Sequence, residues 1–224
     1  MDFQSNRFYH IISYGCQANM SDSEHYAGQL EELGYHNTED LDTADVILIN
    51  TCCVRETAED KTLGKIGELK HLKKQNPDLI IAVTGCMAQE WQDKLFKRAP
   101  HIDLVIGTHN IHKLIELIRE RRSKADHYMA ADMTLPAFHD MPVKRFQKFF
   151  AWIPIMNGCN KFCTYCIVPY VRGREVSRPI DAIVEEIKKV AAEGYKEITL
   201  LGQNVNSYGL DLKLSLIHIS EPTR

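Results

Sequence analysis

Three nearly continuous aliphatic runs constrain this chain most: "ADVILINT" (44–51), "LIIAVTG" (79–85) and "IDLVIGT" (102–108). A strand with one wet face alternates apolar and polar residues. An unbroken Val/Ile/Leu run of this length is instead expected where both faces of a parallel sheet are covered. An earlier run, "FYHIISYG" (8–15), reads as a first strand. Between the four lie helical patterns: Asp22 to about Leu33 closed by Gly34, Glu56 to Lys74, "QEWQDKLFKR", and "NIHKLIELIRER" with Leu114, Leu117 and Ile118 on one face. Strand alternating with helix four times predicts an α/β fold, an open, parallel, doubly wound domain over residues 1–122.

From 123 to 148 the periodicity fails, with prolines and scattered methionines, and the stretch reads as a linker. Beyond it come a strand in "FFAWIPIM" (149–156), a helix in "PIDAIVEEIKKVAAEG" (179–194) and a strand in "EITLLG" (197–202). Proline at the start and glycine at the end of that helix follow the usual asymmetry. This is one βαβ unit, too small to be an independent domain. The segment 214–224 continues none of these patterns.

No apolar run is long enough to cross a bilayer, and no secretory leader opens the chain, so a cytoplasmic protein without membrane association is expected. In a reducing compartment, seven cysteines point to metal binding, redox chemistry or burial rather than to disulfides. The overall charge of −3 indicates little. Its distribution is acidic over the first 140 residues and basic after them, as differently solvated surfaces often are.

The cysteines fall into two sets. Cys16, Cys52 and Cys86 each directly follow a predicted strand, in "SYGCQAN", "LINTCCVRE" and "AVTGCMAQ". The carboxyl ends of strands in an open parallel sheet share one edge, where ligands bind, so these three converge there. Gly15 and Gly85 precede two of them and permit the tight turns required. Cys53, adjacent to Cys52, is expected to point the other way along an extended chain. Buried cysteines also occur at strand ends as small apolar residues.

The second set is a single loop, "GCNKFCTYC", which places Cys159, Cys163 and Cys166 at C-x3-C-x2-C spacing. Three thiolates hold three irons of a cubane and leave the fourth without a protein ligand. That is the open position which separates a reactive metal site from a closed structural one. A zinc loop completed by a distant histidine, or a plain electron-transfer cluster, is the alternative reading.

Taken together, "YGCQANMSDSE", "NTCCVRE", "GCMAQE", "GTHNIHKL", "GCNKFCTYCIVPYVRGREVSR" and "EITLLGQNVNSYG" make residues 7–213 resemble the radical S-adenosylmethionine (SAM) methylthiotransferases. The similarity is greatest to those acting on isopentenyladenosine in tRNA. The resemblance implies that Cys16, Cys52 and Cys86 hold an auxiliary [4Fe–4S] cluster carrying the sulfur to be inserted. It implies that Cys159, Cys163 and Cys166 hold the cluster that chelates and cleaves SAM. Tyr165 would lie near the SAM adenine, and Gly202 and Gln203 near its amino group.

The implied reaction replaces the C–H bond at C2 of the modified adenosine beside the anticodon by C–S. It draws electrons from a low-potential donor such as flavodoxin or ferredoxin. Related enzymes modify threonylcarbamoyladenosine in tRNA or an aspartate of a ribosomal protein, and Val54–Arg55 favours the first substrate. A non-catalytic iron–sulfur protein is the competing class. Arg172, Arg174 and Arg178 suit either SAM carboxylate, RNA phosphate or a solvated face. In the family the βαβ unit at 149–213 opens a partial (βα)6 barrel. This chain is expected to be a truncated form with a non-native tail, inactive by itself and loading the first cluster better than the second.

Overall fold

The computed structural model describes residues 7–53, 56–133 and 141–212, with the backbone alone at 56–58. The Val54–Arg55 pair and the tail 214–224 lie outside the described residues. Two compact units result, one ending at Phe146 and the other beginning at Gln147.

The first unit is a six-stranded sheet, all of it parallel. Its strands are β1 (Arg7–Ser13), β2 (Tyr35–Asn37), β3 (Val46–Thr51), β4 (Ile80–Gly85), β5 (Leu104–Ile106) and β6 (Tyr128–Ala130), in the order β2-β1-β3-β4-β5-β6. Its helices are α1 (Gln17–Glu32), α2 (Glu56–Glu68), α3 (Lys70–Gln75), α4 (Cys86–Trp91), α5 (Asp93–Arg98) and α6 (Leu114–Ser123).

All six residues of β3 and all six of β4 are buried. The pleat sends Val46 and Leu48 to a core shared with Tyr26, Leu30, Leu114 and Leu117 of α1 and α6. It sends Ile47 and Ile49 to a second core with Ile66 of α2, Leu69 between α2 and α3, Leu72 of α3 and Leu95 of α5. This two-sided burial is what the uninterrupted aliphatic runs require.

The chain leaves β1 to form β2 on one side and returns to form β3 on the other. The sheet order therefore reverses between β1 and β3, which is where ligands bind in open α/β sheets.

Two predicted helices are each divided in the structure. The stretch from Glu56 forms α2 and α3, and the segment around Trp91 breaks at Gln92, whose φ is +48°. The region read as a linker also carries structure. Residues 128–130 add β6 to the sheet edge beside β5. Residues 141–146 lie along α1, where the Phe146 and Lys144 amides donate to the carboxylate and carbonyl of Glu24 (3.0 and 2.9 Å). Glu24 is almost fully buried beside Arg145, and burial raises its pKa despite that ion pair.

The second unit contains β7 (Phe150–Pro154) and β10 (Glu197–Leu201), parallel neighbours joined through α8 (Ile180–Ala192). Before the crossover come the short antiparallel pair β8 (Met156–Asn157) and β9 (Val176–Ser177), and one turn of helix, α7 (Val168–Val171). Its core is small: Ala151, Ile153 and Ile155 from the strand side against Ile183 and Val190 of α8. Among the described residues no helix is long and apolar enough to cross a membrane.

Candidate metal centres

Three loops meet at the carboxyl edge of the first sheet. Cys16 sits one residue ahead of α1 in extended backbone (φ −87°, ψ 176°), and its thiol donates to Asn19 Oδ1 at 3.3 Å. Asn19, fully buried, donates through its amide to the Thr51 carbonyl (2.8 Å) and to Asn50 Oδ1 (3.2 Å). Asn50 answers by donating to the Asn19 carbonyl (2.6 Å) and Ser23 Oγ (2.9 Å). These bonds fix the first turn of α1 to the end of β3, one residue before Cys52.

The Thr51 hydroxyl donates to the Thr84 carbonyl and joins β3 to β4, one residue before Gly85. Gly85 itself turns through φ +89°, with the place of a Cβ lying against the Thr51 carbonyl and 2.5 Å from Asn50 Oδ1. Only glycine takes this conformation without strain, and it starts α4 at Cys86. Next to Cys16, the position of a Gly15 Cβ lies 2.6 Å from Cys52 Cβ. The structure therefore brings the loops of Cys16, Cys52 and Cys86 together. Cys52 and Cys86 are buried, and Cys16 is exposed.

Cys53 packs on the face of the sheet that holds Ile47 and Ile49, the side that alternation carried on from β3 gives it. Its thiol hydrogen-bonds Cys86, and that bond, burial and the nearby charge of Glu90 raise its pKa.

The second centre is a loop held from below. Gly158 turns through φ +79°, with the place of a Cβ filled by the Arg174 and Gly173 carbonyls. The Gly158 amide donates to Gln203 Oε1 (2.6 Å), and the Cys159 amide to the Gly173 carbonyl (3.1 Å). Asn160 and Glu175 exchange amide-to-side-chain bonds (3.1 and 3.2 Å). The Cys166 amide donates to the Cys163 carbonyl (3.0 Å), closing the turn between those two ligand candidates.

Phe162 holds φ +46°, a region a bulky residue rarely adopts and one that occurs where surrounding structure imposes it. The Arg174 guanidinium lies 4.4 Å over its ring and Tyr170 meets it edge-on. Cys159 is buried, Cys166 half-buried and Cys163 exposed.

Of the residues expected near SAM, Tyr165 is 90% exposed beside the loop. Gln203 spends its amide oxygen on Gly158, and Gly202 sits tightly against Met156. Both therefore support the loop in this structure. Arg178 is engaged by Glu186 (2.6 Å) and the Pro154 carbonyl (2.9 Å), and Arg172 is buried.

Neither cysteine triad has its three sulfurs all within 4.8 Å of one another. A cubane holds its thiolates on separate irons, so wider spacing fits it better than a mononuclear ion. The donor sets, three soft thiols each, fit [4Fe–4S] clusters with one iron lacking a protein ligand.

Two family models match the chain: "Uncharacterized protein family UPF0004" over residues 8–107 and "Radical SAM superfamily" over residues 153–222. A tRNA-2-methylthio-N(6)-dimethylallyladenosine synthase of Dictyoglomus thermophilum is 52% identical over 205 residues, 91% of this chain and 47% of that protein. Its namesake in Staphylococcus aureus is 51% identical over 212 residues, 93% of this chain and 41% of that protein. Over most of its length the chain is therefore similar to these tRNA-2-methylthio-N(6)-dimethylallyladenosine synthases, and it matches the two domain models in succession. It spans about half the length of these curated relatives.

Solved structures of a radical SAM methyltransferase, TsrM of Kitasatospora setae, share the fold. One, with tryptophan and a SAM analogue, gives a TM-score of 0.56, and another, with cobalamin and a [4Fe–4S] cluster, gives 0.57. Each is 15% identical and covers 90% of this chain and 49% of that one. In this chain, the support residues Asn19, Asn50, Glu175 and Asn160 were not identified from sequence. Each acts through a contact distant along the chain, and only the polar letters inside otherwise apolar segments hint at them.

Proposed function

We propose that this chain is the cluster-bearing part of a tRNA methylthiotransferase that adds a methylthio group to C2 of N6-isopentenyladenosine beside the anticodon. Two separate three-thiol centres carry this reading, the loops of the first braced by buried hydrogen bonds and the loop of the second by exposed and part-buried ones. Identity of about half to relatives named for that product supports the substrate.

Cys16, Cys52 and Cys86 would hold the auxiliary [4Fe–4S] cluster, and Cys159, Cys163 and Cys166 the one that binds SAM. When bound, these groups supply the sulfur and the one-electron chemistry that protein side chains cannot perform. The chain's own task is placement. The Asn19–Asn50 bonds and Gly85 keep the first three thiols on one edge, with Cys16 at the exposed mouth. Gln203, Gly173 and Glu175 hold the Cys159 end of the second loop, and Tyr165 stands ready to stack on adenine. Electrons come from a low-potential cytoplasmic donor of the flavodoxin or ferredoxin type.

The test is a chimera joining residues 1–212 to the remaining length of the Staphylococcus aureus relative. It is reconstituted without oxygen and given SAM, reductant and tRNA bearing either isopentenyladenosine or threonylcarbamoyladenosine. Nucleoside mass spectrometry should find the methylthio group on the first. Its appearance on the second, or on neither, contradicts the assignment.

A further inference from the structure

The carboxyl edge of the first sheet holds another donor set. Cys53, Glu59 and Glu90 bring one sulfur and two carboxylate oxygens within 4.8 Å of one another. They come from the loop leaving β3, the first turns of α2 and the end of α4. Two donors on one ion are separated by at most twice the metal–ligand bond, about 4.0–4.6 Å for zinc with oxygen and sulfur. Small side-chain rotations therefore close this set on one ion.

A second thiol is adjacent but lies outside this set. Thr51 and Gly85 are register partners, so the chain leaves both strands side by side and delivers Cys53 next to Cys86. The two thiols hydrogen-bond. Glu90 follows Cys86 by four residues and so lies on the same side of α4.

We propose that Cys53, Glu59 and Glu90 form a mononuclear site for a divalent first-row transition ion of the zinc(II) or iron(II) kind, with three protein donors and one open position. Carboxylates alone suit magnesium or calcium, and thiolates alone suit softer centres. A mixed set of one sulfur and two oxygens selects borderline ions between them. The site does not rest on the functional reading above.

Cobalt(II) is the probe. The full chain carries Cys163→Ser and Cys166→Ser to disarm the other loop, and is titrated without oxygen under reducing conditions. The expected result is one ion per chain with thiolate-to-cobalt absorption. Loss of outer-sphere partners alone costs metal sites about 10–100-fold in affinity, so Cys53→Ser and Glu90→Gln should each weaken binding at least about tenfold. Cys16→Ser should leave it unchanged. Glu90 is exposed, so its variant tests the site in a folded chain, as circular dichroism will verify. Wild-type affinity in both Cys53→Ser and Glu90→Gln overturns the site. Loss in Cys16→Ser instead places the ion on the triad, which overturns this proposal while leaving the cluster reading intact.

Discussion

At Gly85 the backbone turns through φ +89° while the place of a Cβ is taken by the Thr51 carbonyl, so alanine there meets strain and a backbone clash together. Strained positions of this kind cost about 1–3 kcal/mol, and relief requires moving the end of β3 away from α4. Cys86 begins that helix and Cys52 directly follows that strand. Gly85→Ala should therefore lower unfolding free energy by about 2 kcal/mol or more and reduce iron uptake on reconstitution. Urea denaturation and an iron assay check both, and wild-type values would mean the turn does not set the first centre. Serine in place of Asn19 should be milder, because a shorter side chain loses the bonds to Asn50 and Thr51 without disturbing the backbone.

Between elements, the opposite edge of the same sheet is held by Asp103, which is 4% exposed. Its carboxylate accepts from Lys73 Nζ of α3 (2.8 and 2.9 Å), from Arg121 Nε of α6 (2.6 Å) and from the Ile81 amide of β4 (2.8 Å). Three elements from both faces of the sheet thus share one anion. Removing one partner of a buried ion pair costs about 3–5 kcal/mol, and Asp103→Ala leaves two cations facing each other. A loss near that size in denaturant unfolding is expected; a loss under about 1 kcal/mol, the value of an exposed pair, would contradict the role.

How much of this was readable beforehand follows from the same physics. The strands β3, β4 and β5 announce themselves because double burial demands aliphatic residues throughout. By contrast β2 ("YHN") and β6 ("YMA") are three-residue edges whose membership depends on a neighbour's free backbone groups, and their sequences carry no such demand. The break at Gln92 is hidden because the helical pattern runs through it. At the site, cysteine positions after strands were legible from topology. The closeness of Cys53 to Glu59 and Glu90 was not, since it depends on how the turns after β3 and β4 bring those side chains together.

Over the whole molecule, the chain builds two units around two thiol sets of different construction. The first set is assembled from three loops of a large two-faced core. The second is contained in one loop of a unit whose core has few residues, braced mainly by polar contacts from Gly173, Glu175 and Gln203. A loop triad depends on local turns, whereas the dispersed triad depends on the sheet being folded, so the two should respond to substitution independently. The direct measurement is iron and acid-labile sulfide per chain after anaerobic reconstitution. Wild type is compared with the variant carrying Cys16→Ser, Cys52→Ser and Cys86→Ser together, and folding of both is checked by circular dichroism. A cubane contains four irons, so the variant should lose about four irons and about four sulfides per chain. Unchanged iron in a folded variant, or zinc bound in its place in the wild type, would contradict a cluster on the first triad.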